Sequence, residues 1–186
     1  MSKFSLPNRL LGKKVIITDF DGTLVTLELN WEKLKKIFFS QLEMLYGFKY
    51  KSLKQAINSY KRSPRTKAKI LDNLLGSLEV GNLISYTGNK NLLDYIKNDQ
   101  KKIYIIYSSN SKALIEYVLG EMGILNCFEF IISLNNVQHL KPHIEGMNII
   151  LSLNAGFSKS DFVMLGNSIE DEQVASLTKI DYLKIH

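Results

Sequence analysis

The sequence of 186 residues is long enough for one compact domain with a small insertion and too short for two independent domains. Hydrophobic residues make up 45% of the chain and charged residues 23%, a balance that excludes disordered and low-complexity proteins. No apolar run approaches the ~20 residues of a membrane-spanning helix, so we expect no membrane partner. The single cysteine, Cys127, cannot form an internal disulfide, and a reducing, cytoplasmic location is expected.

The net charge of +6 is concentrated in one internal segment. Residues 25–90 contain 12 Lys and Arg against 5 Asp and Glu, whereas the rest of the chain contains 12 against 13. A basic segment attracts phosphates, nucleic acids or acidic surfaces, although the solvated face of a helix often carries the same charges. Both interpretations stay open on charge alone.

The first half of the chain is predicted to contain one strand followed by helices. Residues 14–18 form an apolar, β-branched run that is typical of a buried strand. A helical period then runs from Asn30, the predicted N-cap, to Gly47. Two more helices are predicted at residues 51–60 and 65–75, the second of them closed by Gly76. Residues 25–86, the insertion from here on, are therefore predicted to be helical.

From residue 89 onward, predicted helices and strands alternate. The helices are expected at residues 89–98, 111–122, 143–153 and 169–177, and the strands at 102–107, 128–132, 161–165 and 182–185. Single helices between strands indicate βαβ crossovers and a parallel sheet that is covered on both faces. We therefore predict an α/β core of residues 1–24 and 87–186, with a five-stranded, doubly wound parallel sheet.

Polar side chains follow these predicted strands at the carboxyl edge of the sheet, where ligands bind in such folds. The first strand runs into the segment Asp19-Phe20-Asp21-Gly22-Thr23. The segments after the second and fourth predicted strands are Ser108-Ser109-Asn110 and Gly166-Asn167-Ser168-Ile169-Glu170-Asp171, and Lys141 lies in the turn before the helix at 143–153. Carboxylates, hydroxyls, an amide and a lysine are thus expected around one site.

This set of side chains suits phosphoryl transfer. Asp19 and Asp21 either bind a divalent cation together or divide two acid–base roles between them. Magnesium prefers all-oxygen sites, Lys141 offers a cation for a phosphoryl oxygen, and Ser109 offers a hydroxyl donor. Gly22 permits a sharp bend of the backbone close to a ligand.

The chain resembles the haloacid dehalogenase superfamily of phosphohydrolases from about residue 13 to its end. The four matching motifs are Asp19-Phe20-Asp21-Gly22-Thr23-Leu24, Ser109-Asn110, Lys141-Pro142, and Gly166-Asn167 with Asp171. The resemblance implies a Rossmann-like sheet with strand order 3-2-1-4-5 and a small, all-α cap of the C1 type formed by the insertion. The second motif fits in two registers, so Ser108 can take the role of Ser109.

The resemblance also implies roles for the individual residues. Asp19 is the expected nucleophile, Asp21 the general acid and base, and Lys141 the third catalytic residue. Substrate binding is expected from Ser109, Asn110, Gly22 and Thr23. Magnesium is the expected cofactor, and its expected ligands are Asp19, Asp21 through its backbone carbonyl, Asn167 and Asp171.

The fourth motif departs from the family pattern at Asn167, where the family usually has an aspartate. An amide oxygen can ligate a hard cation, but the exchange removes one negative charge from the site. We therefore expect weaker metal binding, for which Asp171 and Glu170 compensate through a metal-bound water.

The expected substrate is a small phosphorylated metabolite or nucleotide. Its remaining negative charge is expected to meet basic residues of the insertion, such as Lys61, Arg62, Arg65 or Lys67. Two alternatives stay open. One is a phosphotransferase or mutase of the same fold. The other is a catalytically weakened module that binds phosphate or nucleic acid through the basic insertion, and nucleic acid is the less favoured partner.

Overall fold

The structure, a computed structural model, describes residues 6–99 and 101–185. The strands are β1 (Val15–Thr18), β2 (Val25–Leu29), β3 (Leu83–Gly88), β4 (Ile103–Tyr107), β5 (Phe130–Ile132), β6 (Phe162–Gly166) and β7 (Asp181–Lys184). The α-helices are α1 (Leu6–Arg9), α2 (Trp31–Tyr46), α3 (Leu53–Tyr60), α4 (Arg65–Gly81), α5 (Lys90–Asn98), α6 (Lys112–Glu121), α7 (Glu145–Leu153) and α8 (Ile169–Thr178). None of the helices in these residues combines the length and apolar character that a membrane crossing needs.

Five strands form one parallel sheet in the order β5-β4-β1-β6-β7. This is the predicted order 3-2-1-4-5, and the prediction of a Rossmann-like α/β fold is confirmed. The central strand β1 is buried along its whole length, which explains its continuous apolar sequence. Thr18 at its end lies opposite Ile106 of β4 and Leu165 of β6, so the loops after these three strands leave the sheet at one edge.

The prediction of an all-α insertion is wrong at both ends of the insertion. Strands β2 and β3 pair there as a two-stranded antiparallel sheet, with Val25 opposite Gly88 and Leu29 opposite Leu83. The partners are separated by more than fifty residues, and β2 is partly exposed, so neither strand carries the apolar pattern of a buried strand. The pair holds the entry and exit of the insertion together beside the main sheet.

The last helix of the insertion was predicted to end at Gly76, but in the structure it continues to Gly81. A Cβ atom on Gly76 would lie 3.2 Å from the Cβ of Ala113 and 3.3 Å from the Oγ of Ser111. This glycine therefore allows α4 to approach α6 closely, and it does not terminate the helix. The extra turn carries Glu79 toward the core.

The first helix of the insertion has the predicted ends. Asn30 caps α2 by accepting a hydrogen bond from the backbone N–H of Lys33 at 3.1 Å, and Gly47 adopts a left-handed conformation with φ of 72°. One face of each insertion helix is buried, through residues that include Phe38 of α2, Tyr60 of α3 and Leu75 of α4. Packing of these faces gives the insertion its own apolar interior.

Candidate active site

A pocket of about 390 Å³ lies at the carboxyl edge of the sheet, against the insertion. The structure brings nine residues of the segments named in the sequence analysis together around it: Asp19, Asp21, Ser108, Ser109, Asn110, Lys141, Asn167, Ser168 and Glu170. Five more lining residues come from the insertion: Trp31, Leu53, Lys54, Ile57 and Glu79. The pocket is therefore built jointly by the loops that follow the strands and by the insertion.

Lys141 lies at the floor of the pocket and is only 6% exposed. Its Nζ donates hydrogen bonds to Oδ1 of Asp19 at 2.8 Å, to Oδ1 of Asp171 at 2.6 Å and to the carbonyl oxygen of Tyr107 at 3.1 Å. Burial by itself lowers the pKa of Lys141, but the two carboxylates outweigh it and raise the pKa above its usual value. The lysine is therefore a permanent cation, with one carboxylate partner that faces the pocket.

Asp19 is the partner that faces the pocket, and it follows β1 directly. Burial raises the pKa of its carboxyl, whereas the attraction of Lys141 lowers it. A carboxylate in this position has lost much of its water, and its Oδ1 is held by the hydrogen bond from Lys141.

Asp171 is completely buried and does not line the pocket. Its Oδ1 accepts the bond from Lys141, and its Oδ2 accepts bonds from the hydroxyl and the backbone N–H of Ser168 at 2.6 and 3.1 Å. A Cβ on Gly166 would lie 2.4 Å from the Cβ of Asp171, so this glycine makes room for the carboxylate. These contacts favour a role in positioning Lys141 over the predicted direct contact with a metal.

Asp21 is held by the base of the insertion. Its Oδ1 accepts a hydrogen bond from the backbone N–H of Leu27 in β2 at 3.0 Å. Burial raises the pKa of Asp21, and hydrogen bonds from the backbone of Leu27 and Gly22 oppose this increase. A carboxyl with a raised pKa holds a proton more readily, as a general acid must.

Gly22 and Thr23 lie against Asn167 and do not line the pocket, in contrast to their predicted substrate contact. Gly22 has a φ of 80°, and a Cβ there would lie 2.2 Å from Nδ2 of Asn167. The hydroxyl of Thr23 donates to Oδ1 of Asn167 at 3.3 Å. Both residues therefore orient the amide of Asn167, which does line the pocket.

The loop after β4 offers two neighbouring hydroxyls, and they differ in availability. The hydroxyl of Ser108 is buried, donates to Oδ1 of Asn110 at 2.9 Å and accepts from the N–H of Asn110 at 3.2 Å. Among the hydrogen bonds of the described residues, none uses the side chain of Ser109, which is half-buried and lines the pocket. The geometry favours the register in which Ser109 contacts a phosphate.

Glu79 is a pocket residue that the sequence analysis missed. It is 2% exposed, and its Oε2 accepts a hydrogen bond from the backbone N–H of Ser111 at 2.9 Å. Burial raises the pKa of Glu79 to about 7, the hydrogen bonds from Ser111 and Asn110 lower it, and the charge of Asp21 raises it. The sequence offered no signal for this residue, because the predicted helix ended at Gly76.

Lys54 is the second residue that the sequence analysis missed. Its Nζ lies 3.3 Å from Oε1 of Glu170, and the pair joins α3 of the insertion to α8 of the core. Both side chains are partly exposed and line the pocket. Apolar side chains, among them Trp31 and Leu140, complete the wall.

The four basic residues expected to meet the substrate do not line this pocket. Lys61 is buried and donates to Oδ2 of Asp72 at 2.7 Å and to the carbonyl oxygen of Leu134 at 2.6 Å. Lys67 lies over the ring of Tyr46, with its Nζ 4.1 Å from the ring centroid. Arg62 and Arg65 line two other pockets. These four basic residues therefore lie away from the pocket, in contrast to Lys54, which lines it.

The donors around the pocket fit a magnesium ion. Asp19, Asp21 and Asn167 all line the pocket and offer only oxygen ligands for a cation, which is the chemistry that Mg²⁺ prefers. Asn167 contributes its amide oxygen without a charge, so the set carries fewer negative charges than an all-aspartate set. The residues present therefore suit magnesium, and we expect them to bind it more weakly than an all-aspartate set would.

Comparison with known proteins places this geometry in a family. The sequence model of the family of haloacid dehalogenase-like hydrolases matches residues 16–185 of this chain. No curated protein matches the sequence closely enough to count as a relative.

Three solved structures share the fold over most of both chains. CbbY from Rhodobacter sphaeroides in complex with phosphate is 14% identical, with a TM-score of 0.62 over 92% of this chain and 85% of that one. A predicted phosphoglycolate phosphatase from Haemophilus somnus is 17% identical, with a TM-score of 0.61 over 92% and 84%. YfnB from Bacillus subtilis, bound to magnesium, is 16% identical, with a TM-score of 0.55 over 91% and 85%. At these identities the likeness shows the fold alone.

Proposed function

The chain belongs to the haloacid dehalogenase-like hydrolases, and from this premise we propose that it is a magnesium-dependent phosphatase of small phosphomonoesters. The observation that carries the proposal is the buried bond between Lys141 and Asp19 at the end of β1. Asp21, Ser109 and Asn167 line the same pocket. A nucleophilic carboxylate, an acid, a fixed cation and a phosphate-binding hydroxyl are thus within one small volume.

Asp19 is the nucleophile of the proposed reaction. One of its carboxylate oxygens forms a bond to phosphorus while the bond from phosphorus to the leaving alcohol oxygen breaks, which gives an aspartyl phosphate. Water then attacks the phosphorus, and the bond to Asp19 breaks to release inorganic phosphate. Lys141 holds the Asp19 side chain in place and balances negative charge during both steps.

Asp21 handles the protons. It donates one to the leaving alcohol oxygen in the first step and accepts one from the attacking water in the second. The bond from the N–H of Leu27 fixes the orientation of its carboxyl, and the raised pKa of Asp21 favours the protonated starting form. Because Leu27 belongs to β2, the insertion takes part in placing the acid.

The phosphoryl oxygens are bound by Lys141, by Ser109 and by backbone N–H groups of the two loops. Magnesium, held by Asp19, the backbone carbonyl of Asp21 and Asn167, would supply further charge neutralisation for these oxygens. The phosphate-bound and magnesium-bound structures of similar fold support both expectations. The substrate is a small phosphorylated metabolite or nucleotide, and phosphoglycolate is one test compound because of the Haemophilus somnus protein.

Hydrolysis of p-nitrophenyl phosphate with and without magnesium, in the wild type and in Asp19→Asn, tests the proposal. The expected result is release that depends on magnesium and is abolished in the variant. Asp94→Asn, the same change on the exposed face of α5, is the matched control and should retain wild-type activity. Release that survives both chelation and Asp19→Asn would contradict the proposal.

Asn167 favours a second candidate function, in which the protein binds phosphate but does not hydrolyse phosphomonoesters. Weak metal binding would leave a pocket in which Lys141 and Ser109 still bind the anion. Calorimetric binding of inorganic phosphate, together with no hydrolysis across a panel of phosphomonoesters, would identify this case. In the nucleic-acid version of this candidate, Lys61 would not contact the nucleic acid, because it is buried in an ion pair with Asp72.

A further inference from the structure

Glu79 lines the pocket from the insertion side. Its Oε2 accepts a hydrogen bond from the backbone N–H of Ser111 at 2.9 Å, and the side chains of Ser111 and Asn110 also act on the carboxylate as hydrogen-bond donors. A carboxylate offers about four such acceptor sites on its two oxygens. With these donors counted, Glu79 is a buried acceptor with about one acceptor site left for a hydrogen-bond donor in the pocket.

The charges around the pocket are unevenly distributed. Four carboxylates line it, and they are Asp19, Asp21, Glu79 and Glu170. Two lysines line it as well, and each already has a carboxylate partner: Lys141 bonds to Asp19, and Lys54 pairs with Glu170. Among the described lining residues, every cation is therefore already paired with a carboxylate. None of them is free to receive a second anionic group of the substrate.

We propose that Glu79 selects the leaving group. The pocket then accepts phosphomonoesters of neutral alcohols that carry a further hydroxyl group, and it rejects those whose leaving group carries a carboxylate. This inference rests on the proposed phosphatase function and names its substrate class. A hydroxyl group of the alcohol donates to the remaining acceptor site of Glu79. A carboxylate in the same place has no proton to donate and is repelled.

The burial of Glu79 makes this discrimination effective. Charges that are shielded from water interact more strongly than charges on an exposed surface. A site with a buried hydrogen-bonding group also discriminates against a ligand that leaves this group unpaired. Both effects act against an anionic leaving group and favour a hydroxyl.

The test compares two substrates of the same length, phosphoglycolate and 2-hydroxyethyl phosphate, by their kcat/KM values with magnesium at pH 8. Glu79 is mostly charged at this pH, since its pKa is about 7. The wild type should prefer 2-hydroxyethyl phosphate by about tenfold or more. In Glu79→Gln, which keeps an acceptor for the N–H of Ser111 but loses the charge, the preference should fall below about threefold.

Glu121→Gln is the matched control, since Glu121 is an exposed carboxylate of α6 that does not line the pocket. This variant should retain the wild-type preference. Equal use of both substrates by the wild type overturns the proposal, as does a preference that Glu79→Gln leaves unchanged. The wild-type ratio needs no variant, so the proposal stays falsifiable even if the Gln substitution prevents folding.

The same assay separates this inference from the proposed function. If neither substrate nor p-nitrophenyl phosphate is hydrolysed in magnesium, the phosphatase function fails and the inference fails with it. If both substrates are hydrolysed equally, the phosphatase function stands and only the role of Glu79 is overturned.

Discussion

The sheet and the insertion each contain a lysine that is almost fully buried, Lys141 at 6% and Lys61 at 7% exposure. Both donate to a carboxylate and to a backbone carbonyl oxygen. Lys141 lines the pocket, where a carboxylate partner, Asp19, faces the substrate volume. Lys61 instead joins α3 to Asp72 of α4 and to the core at Leu134.

The difference shows that burial and pairing of a charge do not by themselves mark a catalytic group. Lys141 is expected to be functional because its partner follows a central parallel strand, at the edge where ligands bind in α/β folds. Lys61 holds two helices and a core loop together, which is a structural role. Variants of the two lysines can separate these roles.

The largest expected effect belongs to Lys141→Met. It leaves Asp19 and Asp171 buried without their shared cation, so the free energy of unfolding should fall by about 3–5 kcal/mol. Phosphatase kcat should fall by at least ~100-fold, because charge stabilisation at phosphorus is lost. Urea unfolding and steady-state kinetics measure the two effects.

Lys112→Met is the control for this variant. Lys112 pairs with Glu116 on the surface of α6 at 3.4 Å, with side chains 51% and 44% exposed. Its removal should change the unfolding free energy by no more than about 0.5 kcal/mol. Activity of Lys141→Met within tenfold of the wild type would remove this lysine from the mechanism.

Lys61→Met should cost nearly as much stability with little effect on the chemistry. It leaves Asp72 buried without a cation, and we expect a loss of about 3 kcal/mol. Below the unfolding temperature, kcat should stay within about threefold of the wild type. The double variant Lys61→Met/Asp72→Leu should recover part of the stability, since it removes the unpaired charge. A collapse of kcat in the folded single variant would show that the two lysines do not differ as we expect.

Glu79 should make the stability of the protein depend on pH. Its pKa is raised from 4.5 to about 7 in the folded state, so folding favours the protonated form. This contribution is complete below about pH 4.5 and is lost as the pH rises through 7. The hydrogen bonds from Ser111 and Asn110 lower the pKa of Glu79, and the charge of Asp21 raises it.

Glu79→Gln cannot ionise, so it should be more stable than the wild type at pH 8 by roughly 3 kcal/mol, and this advantage should shrink toward pH 5. Urea unfolding of both proteins at pH 5, 6.5 and 8 measures the difference. A difference that is constant over this range would mean that Glu79 does not titrate between these values.

The smallest effect is expected at the contact between the insertion and α6. Gly76→Ala adds a Cβ 3.2 Å from the Cβ of Ala113, and the crowding should outweigh the gain in helix propensity, with a net loss of about 1 kcal/mol. Gly120→Ala on α6 has open space around it and should instead stabilise the protein by about 0.5–1 kcal/mol. Thermal unfolding of the two variants should therefore shift in opposite directions, and shifts of the same sign would contradict the close packing of α4 on α6.

Several features of the fold were predictable because their signals are local. The apolar run of β1 follows from its burial on both faces, and the alternation after residue 89 follows from βαβ crossovers. The pairing of β2 with β3 was not predictable, because it joins segments more than fifty residues apart and neither strand is fully buried. The stop expected at Gly76 was wrong because this glycine serves packing against α6.

The sequence by itself determined which chemical groups stand at the strand ends, because a parallel sheet brings every strand's carboxyl end to one edge whatever the details of packing. Asp19, Lys141 and Asn167 could therefore be placed together from their positions in the chain. Only the tertiary structure decided which groups the insertion contributes. Whether Lys61 or Lys54 reaches the pocket, and whether Glu79 enters it, depends on the length and docking of α3 and α4, which arise from contacts between distant segments.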